Sequence, residues 1–178
     1  MSPLKDIMLR YLFPRLTPRP PRGSALFEAL VGEARQPHWY LVGKIPDTLE
    51  GRFAVLATIV ALTTVRLEHG GEAARESAVA LAERFVEAMD AEHRQMGIGD
   101  PALGKIVRKL VASLGRRVER WREAVRDGER WAETVTDSLF QGAATAPDPA
   151  DYCGQHLRLF WTRLAGMSGE QLAQGRLQ

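Results

Sequence analysis

Thirteen consecutive residues, Phe53 to Val65, run between Arg52 and Arg66 without a charge. Leu49, Phe53, Val55, Leu56, Ile59, Val60, Leu62, Val65 and Leu67 go nearly all round a helix of 3.6 residues per turn. A helix with no polar face needs partners on every side, which places it in the middle of a helical bundle. A membrane span needs about 20 apolar residues, so this run is a core helix and not a span. Asp47 and Glu50 form an Asp-x-x-Glu capping pattern ahead of it, and Gly70-Gly71 stop it after Glu68.

The flanking segments carry helical stripes and no strand alternation. Ser24 is placed to N-cap a helix to about Gln36, with Leu26, Phe27, Leu30 and Ala34 on one side, and a loop from Pro37 to Pro46 holds His38, Trp39 and Tyr40. A helix over about 73–96 has Ala78, Leu81, Phe85, Met89 and Met96 in register, and Asp100-Pro101 restarts the chain. That next helix buries Leu103, Val107, Leu110, Leu114, Val118, Trp121 and Val125 at steps of three and four. Gly128 breaks it. A shorter helix follows with Trp131, Val135 and Leu139, and Asp148-Pro149 opens one carrying Tyr152, His156, Leu159, Phe160 and Leu164. The last ten residues read as a weak helix or frayed tail. The expected fold is all-α: an irregular single-domain bundle of about six or seven helices around a central buried one. With 178 residues, 45% of them hydrophobic, the chain is one domain with enough apolar surface for such a core.

Residues 1–22 stand apart. Leu4, Ile7, Met8, Tyr11 and Leu12 are spaced as an amphipathic helix, and Pro14, Pro18, Pro20 and Pro21 impose an extended linker before the helical domain at 23–178. The leader is basic and reads as retained on a bacterial cytoplasmic protein. It either docks on the core or lies on a membrane or a hydrophobic client.

Sites for chemistry are sparse. The single cysteine, Cys153, rules out an internal disulfide and a cysteine zinc site. The four histidines lie on different segments, with no Glu-x-x-His pair, no Gly-x-Ser-x-Gly elbow and no phosphate loop. No metal, cofactor or catalytic set is therefore expected, and Asp90, His93 and Arg94 are the one grouping on which an enzyme acting on a small ligand could be built. Charge is segregated instead: residues 101–126 hold eight cations and two anions, whereas 68–100 hold eight anions and three cations. Lys105, Lys109, Arg116 and Arg120 share one helix face, suited to mutual compensation or to anionic lipid, ribosomal RNA or an acidic partner, while nothing resembles a DNA reader. Arg117 falls inside the apolar sector near Leu110, Leu114 and Trp121, where a guanidinium must meet a carboxylate or carbonyls. Arg52 and Arg66 flank the central helix, and Asp47, Asp90 and Asp100 are the candidate partners for all three.

Two blocks resemble the ubiquinol–cytochrome c chaperone family, the assembly factors of respiratory complex III. The first contains Pro46, Asp47, Thr48, Gly51, Arg52 and Phe53, with Arg66-Leu67 at the helix end. The second contains Met89, Asp90, Arg94, Gly97, Ile98, Gly99, Asp100, Gly104 and Lys105, running without a gap to Arg117 and Trp121. Ala54, Ile59, Gln95 and Arg116 depart from the family pattern. The resemblance implies a non-enzymatic chaperone that binds newly made cytochrome b. It points to Tyr40, Asp47, Arg52, Arg66, Asp90, Arg94, Asp100, Lys105 and Arg117 as partner-binding or cleft-shaping residues. An apolar cleft rimmed by charges is expected, in a protein of the cytoplasm that works at the inner membrane as a peripheral component. A membrane or ribosome adaptor using the basic face is the competing reading.

Overall fold

The computed structural model describes residues 23–95, 100–142 and 147–177. The expected leader helix, with Leu4, Ile7, Met8, Tyr11 and Leu12, and its proline linker lie outside these residues. Among the described residues the chain is helical with no strand: α1 (Ser24–Ala34), α2 (His38–Leu41), α3 (Leu49–Glu68), α4 (Glu72–Gln95), α5 (Asp100–Asp127), α6 (Trp131–Phe140), α7 (Pro147–Ala165) and α8 (Gly169–Ala173). Six have ten residues or more, which meets the expected count; α2 and α8 are single turns.

The uncharged run is the centre of the bundle. α3 packs against α1, α4, α5, α6 and α7, and 14 of its 20 residues are buried, without a break from Ala54 to Val65, so that stretch has no face left for water. Three of those are threonines. Their hydroxyls donate back to carbonyls one turn earlier, Thr58 to Ala54 at 2.7 Å, Thr63 to Ile59 at 2.9 Å and Thr64 to Val60 at 2.9 Å, so each buried polar group is satisfied within the helix. Arg66, one turn from the end of α3, reaches the C-terminus of α7. Its Nε donates to the Leu164 carbonyl at 2.9 Å and its Nη2 to the Met167 carbonyl. The Leu164 carbonyl also accepts from Met167 N at 3.2 Å, Met167 lies just past the helix end, and a cation is favoured there by the helix dipole. The expected link between helices therefore exists, but through backbone carbonyls and not a carboxylate.

Several local expectations are corrected. Thr48, not Asp47, is the N-cap of α3, its side chain accepting from Gly51 N at 3.2 Å, and this frees Asp47 for Arg52. Gly51 is needed there because a Cβ would sit 1.9 Å from the Pro46 carbonyl oxygen. Gly23, at φ 93°, takes the cap position of α1 expected of Ser24. The 37–46 segment is not all loop: α2 forms, and its aromatic side chains close the end of α1, Trp39 Nε1 donating to Glu33 O at 3.0 Å and Tyr40 OH to Ala34 O at 2.7 Å. In α7 the buried stripe is Cys153, Leu157, Phe160 and Leu164; Leu159 is 61% exposed because it lies on the other side of that stripe. Of the two expectations for the tail the helix is the one found, opened by a Ser168–Gln171 capping box and with Leu172 buried.

Candidate functional site

At the N-terminal end of α3 the bundle does not close. An apolar cavity of about 590 Å³ opens between α1, α3 and α4, walled by Phe27, Val31, Tyr40, Leu49, Phe53, Leu56 and Met89. A second of about 450 Å³ continues from it between α3, α4 and α5, walled by Leu49, Phe53, Met89, Leu110, Ser113 and Arg117. Leu49, Phe53 and Met89 belong to both, so the two form one groove crossing the end of the central helix. The groove exists because Leu26, Leu30 and Ala34 take the buried stripe of α1, leaving Phe27 and Val31 half-covered on its flank. Leu49 stands 41% exposed at the mouth, and Leu41 and Val42 beyond it are 68% and 51% exposed.

Charges rim this floor. Glu28, Arg35 and Arg52 line one section and Glu50 and Arg117 the other. Arg52 Nε donates to Asp47 Oδ1 at 2.6 Å, with both side chains exposed, and its guanidinium lies 5.6 Å from the Tyr40 ring centre. Burial raises the Tyr40 hydroxyl above its ordinary value, with Arg52 opposing; the phenol stays neutral and holds Ala34 O. Such an exposed ion pair contributes little stability, so its place at the groove mouth matters more than its energy.

Arg117 closes the far end. Its Nη1 donates to Ser113 Oγ at 2.8 Å, its Nη2 reaches Ser138 O at 3.4 Å, and the Phe53 ring lies 5.6 Å away. Of the two partners expected for it, a carboxylate or a carbonyl, the carbonyl is the one found among the described residues. Burial first, then Arg120 and Arg116, lower its affinity for its proton.

Of the other residues singled out, Asp90 is buried on α4 next to Met89. Arg94 lies in the last turn of α4 and Asp100 at the start of α5; their side chains, like that of His93, fall outside the described part of the structure. Lys105 is exposed on α5, away from the groove lining. Arg66 sits about 20 Å along α3 from Phe53, at 1.5 Å per residue, and braces α7 instead. The groove thus gathers Tyr40, Arg52 and Arg117, with Asp47 joined to it through Arg52, and leaves Arg66 and Lys105 outside. On the basic face Lys105, Lys109 and Arg116 are exposed, but Arg120 is paired with Asp137 at 3.0 Å. Arg122 pairs with Glu68 at 2.7 Å and with Glu119; burial would lower its pKa, but the two carboxylates outweigh this and raise it.

The sequence did not single out Leu49, Val31 or Arg35. Their only signals were an apolar residue at the first position of α3 and a Phe27/Val31 pair one turn apart, both consistent with core. The structure also brings together His38 and His156, at 4.5 Å between ring centres, beside Tyr152. Among the described residues no three His, Cys, Asp or Glu are placed to hold a metal ion, and no helix is long and apolar enough to cross a membrane.

The family described as ubiquinol-cytochrome C chaperone matches residues 42–178. The crystal structure of the Cbp3 homolog from Brucella abortus is similar over 97% of this chain and 88% of that one, with a TM-score of 0.73 and 26% identity. Among curated proteins none matches.

Proposed function

The chain belongs to the ubiquinol–cytochrome c chaperone family, and from that premise we propose that it is a non-catalytic assembly chaperone holding newly made cytochrome b during biogenesis of the ubiquinol–cytochrome c reductase complex. The observation that carries the reading is the continuous apolar groove at the N-terminal end of α3, floored by Leu49, Phe53 and Met89 and bounded by Arg52 and Arg117. A membrane protein awaiting assembly presents helices covered in apolar side chains, and an exposed apolar groove with a polar rim is suited to receiving one. Burying four such side chains gains roughly 6–12 kcal/mol. Association and ordering cost about 4 kcal/mol or more, which leaves at most about 2–8 kcal/mol, reversible binding no tighter than micromolar. A chaperone must release its client, so this range fits the task, and no bond has to be made or broken.

Capture of a client at its site of insertion calls for a peripheral place on the inner membrane. Lys105, Arg108, Lys109 and Arg116 are exposed on α5, and each cation near an anionic surface adds about 1 kcal/mol of attraction. Vesicle binding that falls steeply with salt is expected.

The test is genetic and structural together. Deleting the gene should abolish haem-loaded cytochrome b and assembled complex III, and Leu49→Asp should fail to restore them while remaining folded, because Leu49 is already part-exposed. Normal complex III in the deletant refutes the chaperone role. Full rescue by Leu49→Asp refutes the groove as the client site.

A further inference from the structure

Beside the groove, between α5 and α6, lies a smaller polar cavity of about 120 Å³ lined by Ser113, Arg116, Arg117, Arg120, Asp137 and Ser138. Three guanidinium groups face one carboxylate, a formal charge of +2. The carboxylate is engaged: Asp137 Oδ2 accepts from Arg120 at 3.0 Å. Two donors in the wall are left over. Arg117 Nε and Ser138 Oγ are buried and lack a hydrogen-bond partner among the described residues, and Ser138 is 2% exposed. Leaving a buried donor unmade costs more than the net gain from making an ordinary hydrogen bond, so native proteins rarely keep two in one place without a purpose. The other contacts of Arg117 are a hydroxyl and a carbonyl, which solvate the cation without neutralising it.

We propose that this cavity binds a phosphoryl group. A phosphate monoester carries a charge of about −1.5 to −2, which matches the surplus in the wall; its several oxygens can accept from the exposed guanidinium of Arg116 and, once the two buried side chains turn towards it, from Arg117 Nε and Ser138 Oγ. A planar carboxylate offers two oxygens to donors arriving from two helices. The volume suits as well, being room for about four water-sized groups. Burial of Arg117 among two further arginines lowers its proton affinity, and an anion would reverse that. Two sources supply the same chemistry. Ser113 and Arg117 also wall the apolar groove, so a lipid phosphate could sit in the cavity with its acyl chain along Phe53 and Leu110, whereas free phosphate would fill the cavity alone. The site stands whether or not the groove holds cytochrome b.

Calorimetric titration of the full chain with inorganic phosphate, dihexanoyl phosphatidic acid below its micelle concentration, and dihexanoyl phosphatidylcholine tests this. One phosphate-bearing ligand should bind at one site per chain. Ser138→Ala and Arg116→Gln should each weaken it by about tenfold, the worth of one hydrogen bond to a charged group. Ser138→Ala removes a buried hydroxyl without a partner, so its thermal unfolding midpoint should be equal to the parent's or higher, and lost binding cannot be blamed on lost fold. Phosphatidic acid binding far more tightly than phosphate, with phosphatidylcholine silent, identifies a lipid headgroup; equal affinities identify free phosphate. The proposal is overturned if neither phosphate ligand binds at millimolar concentration, or if both substitutions leave binding unchanged.

Discussion

Replacing Arg66 by alanine removes one side chain that ties two helices far apart in sequence. Its guanidinium satisfies two carbonyls, Leu164 O and Met167 O, at the C-terminal end of α7. A hydrogen bond to a charged group contributes about 1.5–3 kcal/mol when both partners are dry. Arg66 is only half-buried, the Leu164 carbonyl keeps its bond from Met167 N, and the Met167 carbonyl regains some water, so about 1 kcal/mol each is the better figure. The lost cation at a helix C-terminus adds about 0.5 kcal/mol. The sum is a destabilisation of about 2–3 kcal/mol, or roughly 5–10 °C in Tm for a domain of this size. Urea unfolding followed by far-ultraviolet circular dichroism should show the midpoint falling while the slope stays constant, since the surface exposed on unfolding is unchanged. Arg66→Lys should recover about half, because an ammonium cannot span both carbonyls in the fixed geometry of a guanidinium. The lysine variant should still support complex III assembly, because Arg66 lies well away from the groove. An alanine variant within about 0.5 kcal/mol of the parent would refute the assignment of Arg66 as a brace, and loss of assembly in a stable lysine variant would make it a contact residue after all.

Gly51→Ala forces a methyl group onto the Pro46 carbonyl; it should cost about 1–3 kcal/mol by overcrowding and disturb the groove mouth, read as a lower urea midpoint together with lost client capture. For His38, burial first, then His156, lower the pKa from its ordinary 6.5, with Glu33 opposing and Arg163 adding to the fall. The folded state therefore binds fewer protons than the unfolded chain, so this contribution is present above pH 6.5 and is lost as pH falls below it; His38→Gln should flatten the unfolding midpoint between pH 7 and 5, and an unchanged slope there would remove His38 from the account. Burial pushes the Cys153 thiol up to about 12, so a disulfide exchange reagent at pH 8 should find no reactive thiol in the native protein and one per chain after unfolding; rapid native labelling would contradict the packing of α7.

Local periodicity made the architecture legible. The all-round apolar run put α3 at the centre, and the steps of three and four along α5 foretold that Val107, Leu114, Val118 and Trp121 would be buried. Both follow from geometry within one helix, which sequence spacing reports directly. Capping was less secure because several residues within a turn compete for it. Thr48 prevailed over Asp47 once Asp47 had Arg52 to engage, while the Ser-x-x-Gln box that opens α8 was written in the tail and went unread. The motif residues Asp47, Arg52 and Arg117 identified one end of the molecule, but not that an apolar groove lies between them.

Spacing along the chain settled most of the residues inside, with Leu159 and Phe27 among the exceptions, and that the protein would be a bundle around one greasy helix, because a helix fixes the relation between neighbours a turn apart. Only the packed structure decided which distant groups meet: Arg66 with the end of α7, His38 with His156, Arg117 with the Ser138 carbonyl, and Phe27 beside Leu49 on a groove floor in place of the core. Those meetings depend on how helices cross and where they fail to close over one another. Packing sets both across the whole bundle, and no short stretch of sequence carries either.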